Sequence, residues 1–279
     1  MNPTQAEKAQ AFRALHERAG AFVIPNPWDA GSALLLSTLG FEALATTSAG
    51  FAFTLGRRDS EGSLSRAETL ANARAIIEAT DLPVSADLEN GFGHDPEAVA
   101  ETIRAASSVG LAGGSIEDAS GDAGQPVYDL TLAIERVAAA VEAVRALPLP
   151  FVLTARAENF LHGRPDLDDT IRRLQAFEKA GAEVLYAPGL TSLDQIRAVC
   201  ASVSRPVNVV MGLVGGTFSV QQLAEAGVKR ISLGSSLARA ALGALMRAAR
   251  EIREDGTFSF AAAAMPFAEV HRQMRPKSA

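Results

Sequence analysis

The feature that most constrains this chain is a recurring unit: a short apolar run, a turn, then an amphipathic stretch that opens at a capping residue or proline. Such units recur from residue 21 to about residue 253. The apolar runs at 21–24, 43–47, 83–87, 112–117, 151–156, 183–187, 206–211 and 228–234 are predicted strands. The stretches at 30–38, 65–79, 96–109, 130–146, 167–180, 192–203, 219–226 and 236 to about 253 are predicted helices. Strands that alternate with helices at this interval pair in parallel, because each crossover must return the chain to the same edge. Eight such units predict a closed (β/α)8 barrel of the TIM type. No G-x-G-x-x-G follows the first strand, which removes the main reason to expect an open dinucleotide-binding sheet. A polar helix at 4–19 precedes the barrel, and an alanine-rich helix at 259–274, bent or divided by Pro266, follows it. The expectation is one domain over 1–279, with the barrel at about 20–255 and a C-terminal helical extension at about 256–279.

Composition narrows the partners. A formal charge of −6, with no basic run, argues against nucleic acid. Cys200 is the one cysteine and lies in a predicted helix, so neither a disulfide framework nor a cysteine metal cluster is expected. No apolar run approaches the roughly 18 residues of a membrane span, and the charged start of the chain does not read as a signal peptide. The expectation is a cytoplasmic enzyme of small molecules.

In a barrel of this kind the active site lies where the strands end. Those ends bring together Asp29, Thr47 and Ser48, Asp87 and Glu89, Glu117 and Asp118, Arg156 and Glu158, Tyr186, Met211 and Ser235. Asp87 and Glu89, two apart on an extended segment, would share a face, and Asp59 can fold over the same mouth from the loop after the second strand. By themselves two such acids read as solvated strand-end carboxylates. Asp59, Asp87, Glu89 and Glu117 around one point repel each other unless a cation intervenes. Mg²⁺, with Mn²⁺ as the alternative, suits an all-oxygen site and keeps several waters, so Asp87 is expected to bind it directly and the other acids to hold its waters. Arg156, expected opposite this acidic sector, reads equally as a fork for a carboxylate or phosphonate and as a salt bridge to Glu158 or another mouth acid. Thr47, Ser48 and the open backbone beyond them can bind a further anionic oxygen.

The ordered set T-T-S-A-G (46–50), G-R-R-D (56–59), D-L-E-N-G-F-G (87–93), S-I-E-D (115–118) and T-A-R-A-E (154–158) resembles the isocitrate lyase and phosphoenolpyruvate mutase superfamily. The resemblance runs from P-N-P-W-D-A-G-S-A (25–33) to the last strand. It implies Mg²⁺, a small 2-oxo acid or phosphonate, and an enolate beside which a C–C or P–C bond is made or broken. Asp87 matches the direct metal ligand, and Asp59, Glu89 and Glu117 match the acids that hold metal-bound water. Arg156 matches the substrate-binding arginine; Asp59, Glu117 and Arg156 are the expected catalytic set. Thr47 and Ser48, with Ala49, match the carboxylate-binding segment. A homotetramer, with a C-terminal helix exchanged between subunits, is implied in the same way. The chain departs from the family in two places. The lyase motif K-K/R-C-G-H after the fourth strand is replaced by A-S-G-D-A-G-Q-P-V-Y-D (119–129), and Pro188 stands after the sixth strand where lyases have a glutamate and phosphonomutases a histidine. C–C chemistry is therefore expected ahead of P–C chemistry, since that loop carries no cation for a phosphonate. A homologue that binds ligand without turnover is the reading from another class.

Overall fold

Eight parallel strands roll into a nearly closed barrel in the computed structural model, which describes residues 2–59, 62–213 and 216–274. In chain order the elements are α1 (Gln5–Glu17), β1 (Phe22–Ile24), α2 (Ala30–Ser37), β2 (Leu44–Ala45), α3 (Ser48–Thr54), α4 (Arg66–Ala79), β3 (Val84–Asp87) and α5 (Pro96–Ser108). They continue with β4 (Gly113–Glu117), α6 (Leu130–Arg145), β5 (Val152–Arg156), α7 (Leu167–Ala180), β6 (Val184–Tyr186) and α8 (Leu193–Ser202). The last are β7 (Val207–Val210), α9 (Val220–Glu225), β8 (Arg230–Ser232), α10 (Ser236–Asp255) and α11 (Phe267–Gln273).

Local chemistry sets the helix ends. Thr4 and Ser65 each close a reciprocal capping box, with Glu7 and Glu68, at the starts of α1 and α4. Gly181 ends α7 in the left-handed conformation that glycine adopts without a Cβ clash. The strands are shorter than their apolar runs because one or more residues at the ends of each run stay outside the ladder. Sequential neighbours pair from β2 round to β8, and β8 pairs with β1.

The remaining seam, between β1 and β2, is bridged by the Ala45 N–H donating to the Pro25 carbonyl at 3.0 Å. Buried Asn26 fastens it: its amide donates to the Thr46 carbonyl at 2.9 Å, and its carbonyl accepts from the Leu233 and Gly234 N–H groups at 2.8 and 3.0 Å. Asn26→Ala leaves three backbone groups without these partners. At roughly 1 kcal/mol or more each, chemical denaturation is expected to register a loss of about 3 kcal/mol.

α1 sets Ala9, Phe12 and Leu15 against Phe22, Ala112, Val152 and Val184, which lie at the starts of their strands. It therefore plugs the N-terminal end of the barrel and leaves the opposite mouth to ligands.

Several elements add detail to the expected architecture or depart from it. Residues 48–54, read as an opening loop, form α3, because Thr47 caps it by accepting from the Gly50 N–H at 3.2 Å. Of the two readings of the tail it is the divided one that forms: Ser259–Ala263 is a 3-10 turn and α11 begins after Pro266, whose ring cannot continue a helical ladder. Residues 275–279 of the expected extension lie outside the described residues. α10, the helix of the eighth unit, buries Ala238 alone, while Leu242, Leu245, Met246 and Ile252 stay exposed. No helix among the described residues is long and apolar enough to cross a membrane.

Candidate active site

At the C-terminal mouth lies a cavity of about 330 Å³, lined by Thr47, Ser48, Ala49, Asp59, Asp87, Glu89, Glu117 and Arg156. Every residue singled out from the sequence as catalytic, substrate-binding or metal-holding thus reaches one space. Glu158, Tyr186 and Ser235 line it as well; Asp29, Asp118 and Met211 do not. Asp29 instead caps α2, accepting from the Ser32 N–H at 2.7 Å. Asp118 turns into the core beside Arg173, whose Nη1 stands 3.0 Å from it, and takes the Glu158 N–H at 2.8 Å.

Arg156 is not opposite the acids but among them, because β3, β4 and β5 are consecutive neighbours and Glu117 is paired in register with Arg156. Its Nη1 lies 3.0 Å from Asp87, its Nη2 3.2 Å from Glu117 and its Nε 2.8 Å from Glu158. Of the two readings left open by the sequence, the salt bridge is the one formed here, threefold. A substrate anion would have to displace one of these partners.

Glu89 reaches the mouth by a different route from the one its spacing suggested. β3 ends at Asp87, and Glu89 has φ 48°, a left-handed backbone uncommon for a residue with a side chain. Its N–H donates to Asp87 Oδ1 at 3.3 Å, and its carbonyl accepts from the Glu117 N–H at 3.0 Å. The loop beyond is held from below by Arg136, whose guanidinium donates to the Asn90, Gly93 and His94 carbonyls and lies 4.3 Å from the centre of the Tyr128 ring. His94 Nδ1 in turn sits 2.8 Å from the Tyr128 hydroxyl. Residues 119–129 form a small hairpin, with Ala119 bridged to Val127, rather than an irregular loop.

The Thr47 and Ser48 hydroxyls have different partners in the free site. The Thr47 hydroxyl is occupied by its own helix, whereas the Ser48 hydroxyl donates to Asp87 at 2.9 Å and lies 3.2 Å from Asp59. Ser48 therefore ties the loop acid to the strand acid.

Electrostatics shows strain among these carboxylates. Burial, then the charges of Asp87 and Asp59, push Glu89 up to about 8 from an ordinary 4.5, against the pull of Arg156. Burial likewise raises Glu117 well above its usual range, opposed by Arg156. Among the described residues no three Asp, Glu, His or Cys side chains converge to hold one ion directly. All-oxygen donors, mutual repulsion and this spread fit a hard cation that touches one carboxylate and reaches the rest through water.

A pH dependence follows. Between 4.5 and 8 the folded protein keeps a proton on Glu89 that the unfolded chain has released, so stability falls as pH rises through that window. His16, buried and held down to about 3, works in the opposite direction, but its contribution is complete above its ordinary 6.5. From about pH 6.5 to 8.5 the metal-free protein is expected to lose up to about 2 kcal/mol from Glu89. Mg²⁺ should reverse the loss, which melting curves with and without it would record.

Two ionisable lining residues, Arg230 and His162, are not among the sites expected from the sequence. Arg230 lies at the start of β8, beneath the cavity, donating to Asn208 at 2.9 Å and Thr154 at 2.9 Å. His162 lies on the turn after β5. Neither sits at a strand end, the criterion that found the others. Cys200 on α8 is half-buried and pushed up to about 11 by burial, far from thiolate chemistry.

The profile of the phosphoenolpyruvate phosphomutase family matches residues 12–253. A crystallised lyase/mutase candidate from Burkholderia cenocepacia J2315 is 60% identical, with a TM-score of 0.94 over 96% of this chain and 95% of that one. The crystal structure of 2,3-dimethylmalate lyase is 28% identical, with a TM-score of 0.85 over 95% of this chain and 94% of that one. A 2-methylisocitrate lyase of Shewanella oneidensis is 31% identical over 232 residues, 80% of this chain and 78% of the lyase.

Proposed function

Because this chain belongs to the phosphoenolpyruvate phosphomutase family, we propose that it is a Mg²⁺-dependent enzyme that acts on a small 2-oxo acid through an enolate, cleaving or forming the adjacent C–C bond. The observation that carries this reading is the cluster of Asp59, Asp87, Glu89 and Glu117 against Arg156, in a cavity of about 330 Å³. That volume lies at the small end of ligand sites, which run from roughly 300 to 1,000 Å³. In this reading Asp87 holds Mg²⁺ directly, while Asp59, Glu89 and Glu117 hold its waters. The bound cation would supply charge stabilisation for the enolate oxygen. Arg156 gives up one carboxylate partner to take the substrate carboxylate, and the 47–49 segment takes a second oxygen. The lyase names of the relatives at 31% and 28% identity support C–C chemistry, as does the 119–129 hairpin, which brings no cation to the mouth. The test is Mg²⁺-dependent turnover of oxaloacetate, 2-alkylmalates, 2-methylisocitrate and phosphonopyruvate. Turnover of phosphonopyruvate alone would replace this reading with P–C chemistry. Oxalate binding with no turnover in a broad panel would replace it with a ligand-binding role.

The same reading includes a cytoplasmic homotetramer. Its support is the exposed apolar row of Leu242, Leu245, Met246 and Ile252 on α10, continued by Phe258, Phe260, Met265 and Phe267 in the tail. Light scattering at micromolar concentration is expected to give four times the 29.2 kDa chain mass, and a monomer mass would remove the proposal.

A further inference from the structure

We propose that His162 is the catalytic residue that moves the proton to and from the carbon beside the substrate carbonyl, an assignment that rests on the 2-oxo acid reading above. Two cavities meet at this side chain. The inner one is the 330 Å³ site; the outer cleft, of about 780 Å³, opens between residues 62–66 and 119–122 and shares Glu89, Glu117 and His162 with it. A ligand held at the carboxylates and extending outward passes this imidazole.

The turn that carries His162 is held in place. The Leu161 and His162 N–H groups donate to the Glu158 carbonyl at 3.1 and 3.2 Å, and the Arg164 N–H donates to the Asn159 carbonyl at 2.9 Å. Glu158 is itself fixed by Arg156 and by Asp118. Gly189, at φ 89°, lies against the turn so closely that a Cβ there would stand 2.8 Å from Phe160 Cβ and 3.2 Å from Leu161 Cδ2. The absence of that Cβ lets the turn seat over the mouth.

Elimination points to the same side chain. In the reading above Asp59, Asp87, Glu89 and Glu117 are engaged around the cation; Arg156 is held charged by three carboxylates, and one of these, Glu158, which burial raises to about 7, is 2% exposed and committed to the Arg156 Nε at 2.8 Å. Burial raises the Tyr186 hydroxyl further from neutral pH, and the Tyr128 hydroxyl is engaged by His94 and lies outside the inner cavity. His162 is half-buried, and its ring makes no hydrogen bond to another described residue. Burial and the Arg156 charge lower its pKa, so that it stands as the free base at neutral pH. In the exchange direction a ring nitrogen takes the proton from the carbon, the C–H electron pair becomes the C=C bond of the enolate, and the carbonyl oxygen takes the negative charge. In the cleavage direction a ring nitrogen takes the proton of the departing fragment's hydroxyl, whose oxygen becomes a carbonyl as the C–C bond breaks; the electron pair of that bond stays with the other carbon as the enolate, and the imidazolium returns the proton to it, restoring the ketone.

The experiment uses pyruvate in D₂O with Mg²⁺, following loss of the methyl proton signal, beside the thermal shift given by Mg²⁺ plus oxalate. Wild type is expected to exchange, and His162→Gln to exchange slower by roughly 10²- to 10⁴-fold, the usual share of a general base, while keeping the oxalate shift. Added imidazole should restore part of the exchange in His162→Ala. Exchange in His162→Gln within about threefold of wild type, far less than a general base contributes, overturns the assignment. So does loss of the oxalate shift in that variant, or a wild type that binds oxalate without exchange. A wild type that gives no Mg²⁺-dependent oxalate shift overturns the 2-oxo acid reading itself, and is distinguished because no variant enters that comparison.

Discussion

Asp87→Ala is expected to erase the stabilisation that Mg²⁺ and oxalate confer while leaving the metal-free barrel folded. Wild type at a ligand concentration about 100 times Kd gains roughly 2.7 kcal/mol, and a variant weakened more than about 100-fold gains less than about 0.4 kcal/mol. Loss of a group that acts only through water typically costs about 10- to 100-fold, so Glu89→Ala or Glu117→Ala should keep part of the shift that Asp87→Ala loses. The metal-free variant faces two opposing changes. It loses contacts to Arg156 at 3.0 Å and to the Ser48 hydroxyl at 2.9 Å. It also removes the larger of the two charges that push Glu89 up. Each contact is worth about 1 kcal/mol net, comparable to the relief, so the metal-free melting temperature should move little. Thermal melting of wild type and all three variants, with and without Mg²⁺ plus oxalate, decides it. An unchanged ligand shift in Asp87→Ala would remove the metal assignment and the enolate mechanism with it.

What the sequence revealed of this site depended on backbone direction. Asp87, Glu117 and Arg156 were legible because each closes a strand, and consecutive parallel strands bring their ends side by side. Strand-end position alone does not say which ends are neighbours, and the consecutive pairing of β3, β4 and β5 sets Arg156 among the acids instead of opposite them. The two-residue spacing that suggests a shared face for Asp87 and Glu89 does not operate, since the chain leaves the strand before Glu89 and turns left-handed. His162 was not legible because its position depends on a turn seated on Gly189 through Phe160 and Leu161, a contact between distant segments that no local pattern encodes. Helix boundaries were legible where a cap or a glycine marks them, as in α7, which occupies the expected 167–180. α3 was hidden because S-A-G-F-A-F-T has neither the length nor the polar face of an amphipathic helix. α10 has that periodicity, yet nothing local says whether its apolar face meets its own barrel.

Arg156→Met should cost more stability than any other single change at the mouth. The guanidinium is 13% exposed and serves carboxylates on β3, on β4 and just beyond its own strand, so its removal leaves Asp87, Glu117 and Glu158 facing one another across a partly buried gap. Breaking a buried ion pair from one side typically costs about 3–5 kcal/mol. Protonation limits that cost, and the limit depends on pH. Burial already raises Glu117 and Glu158, with Arg156 the chief opposing influence on each. Without it both rise further and stay neutral over more of the pH range. The folded variant therefore holds protons that the unfolded chain releases above the ordinary carboxylate range, and its stability falls more steeply with rising pH than that of wild type. Denaturant titrations at about pH 5.5 and 8.5, on either side of the window in which raised carboxylates titrate, should show a small difference between the two proteins at the lower pH and a large one at the higher. Mg²⁺ should narrow the gap at the higher pH by restoring positive charge to the cluster. A deficit of the same size at both pH values would mean that Arg156 contributes packing alone, and that the carboxylates around it are not held charged by its presence.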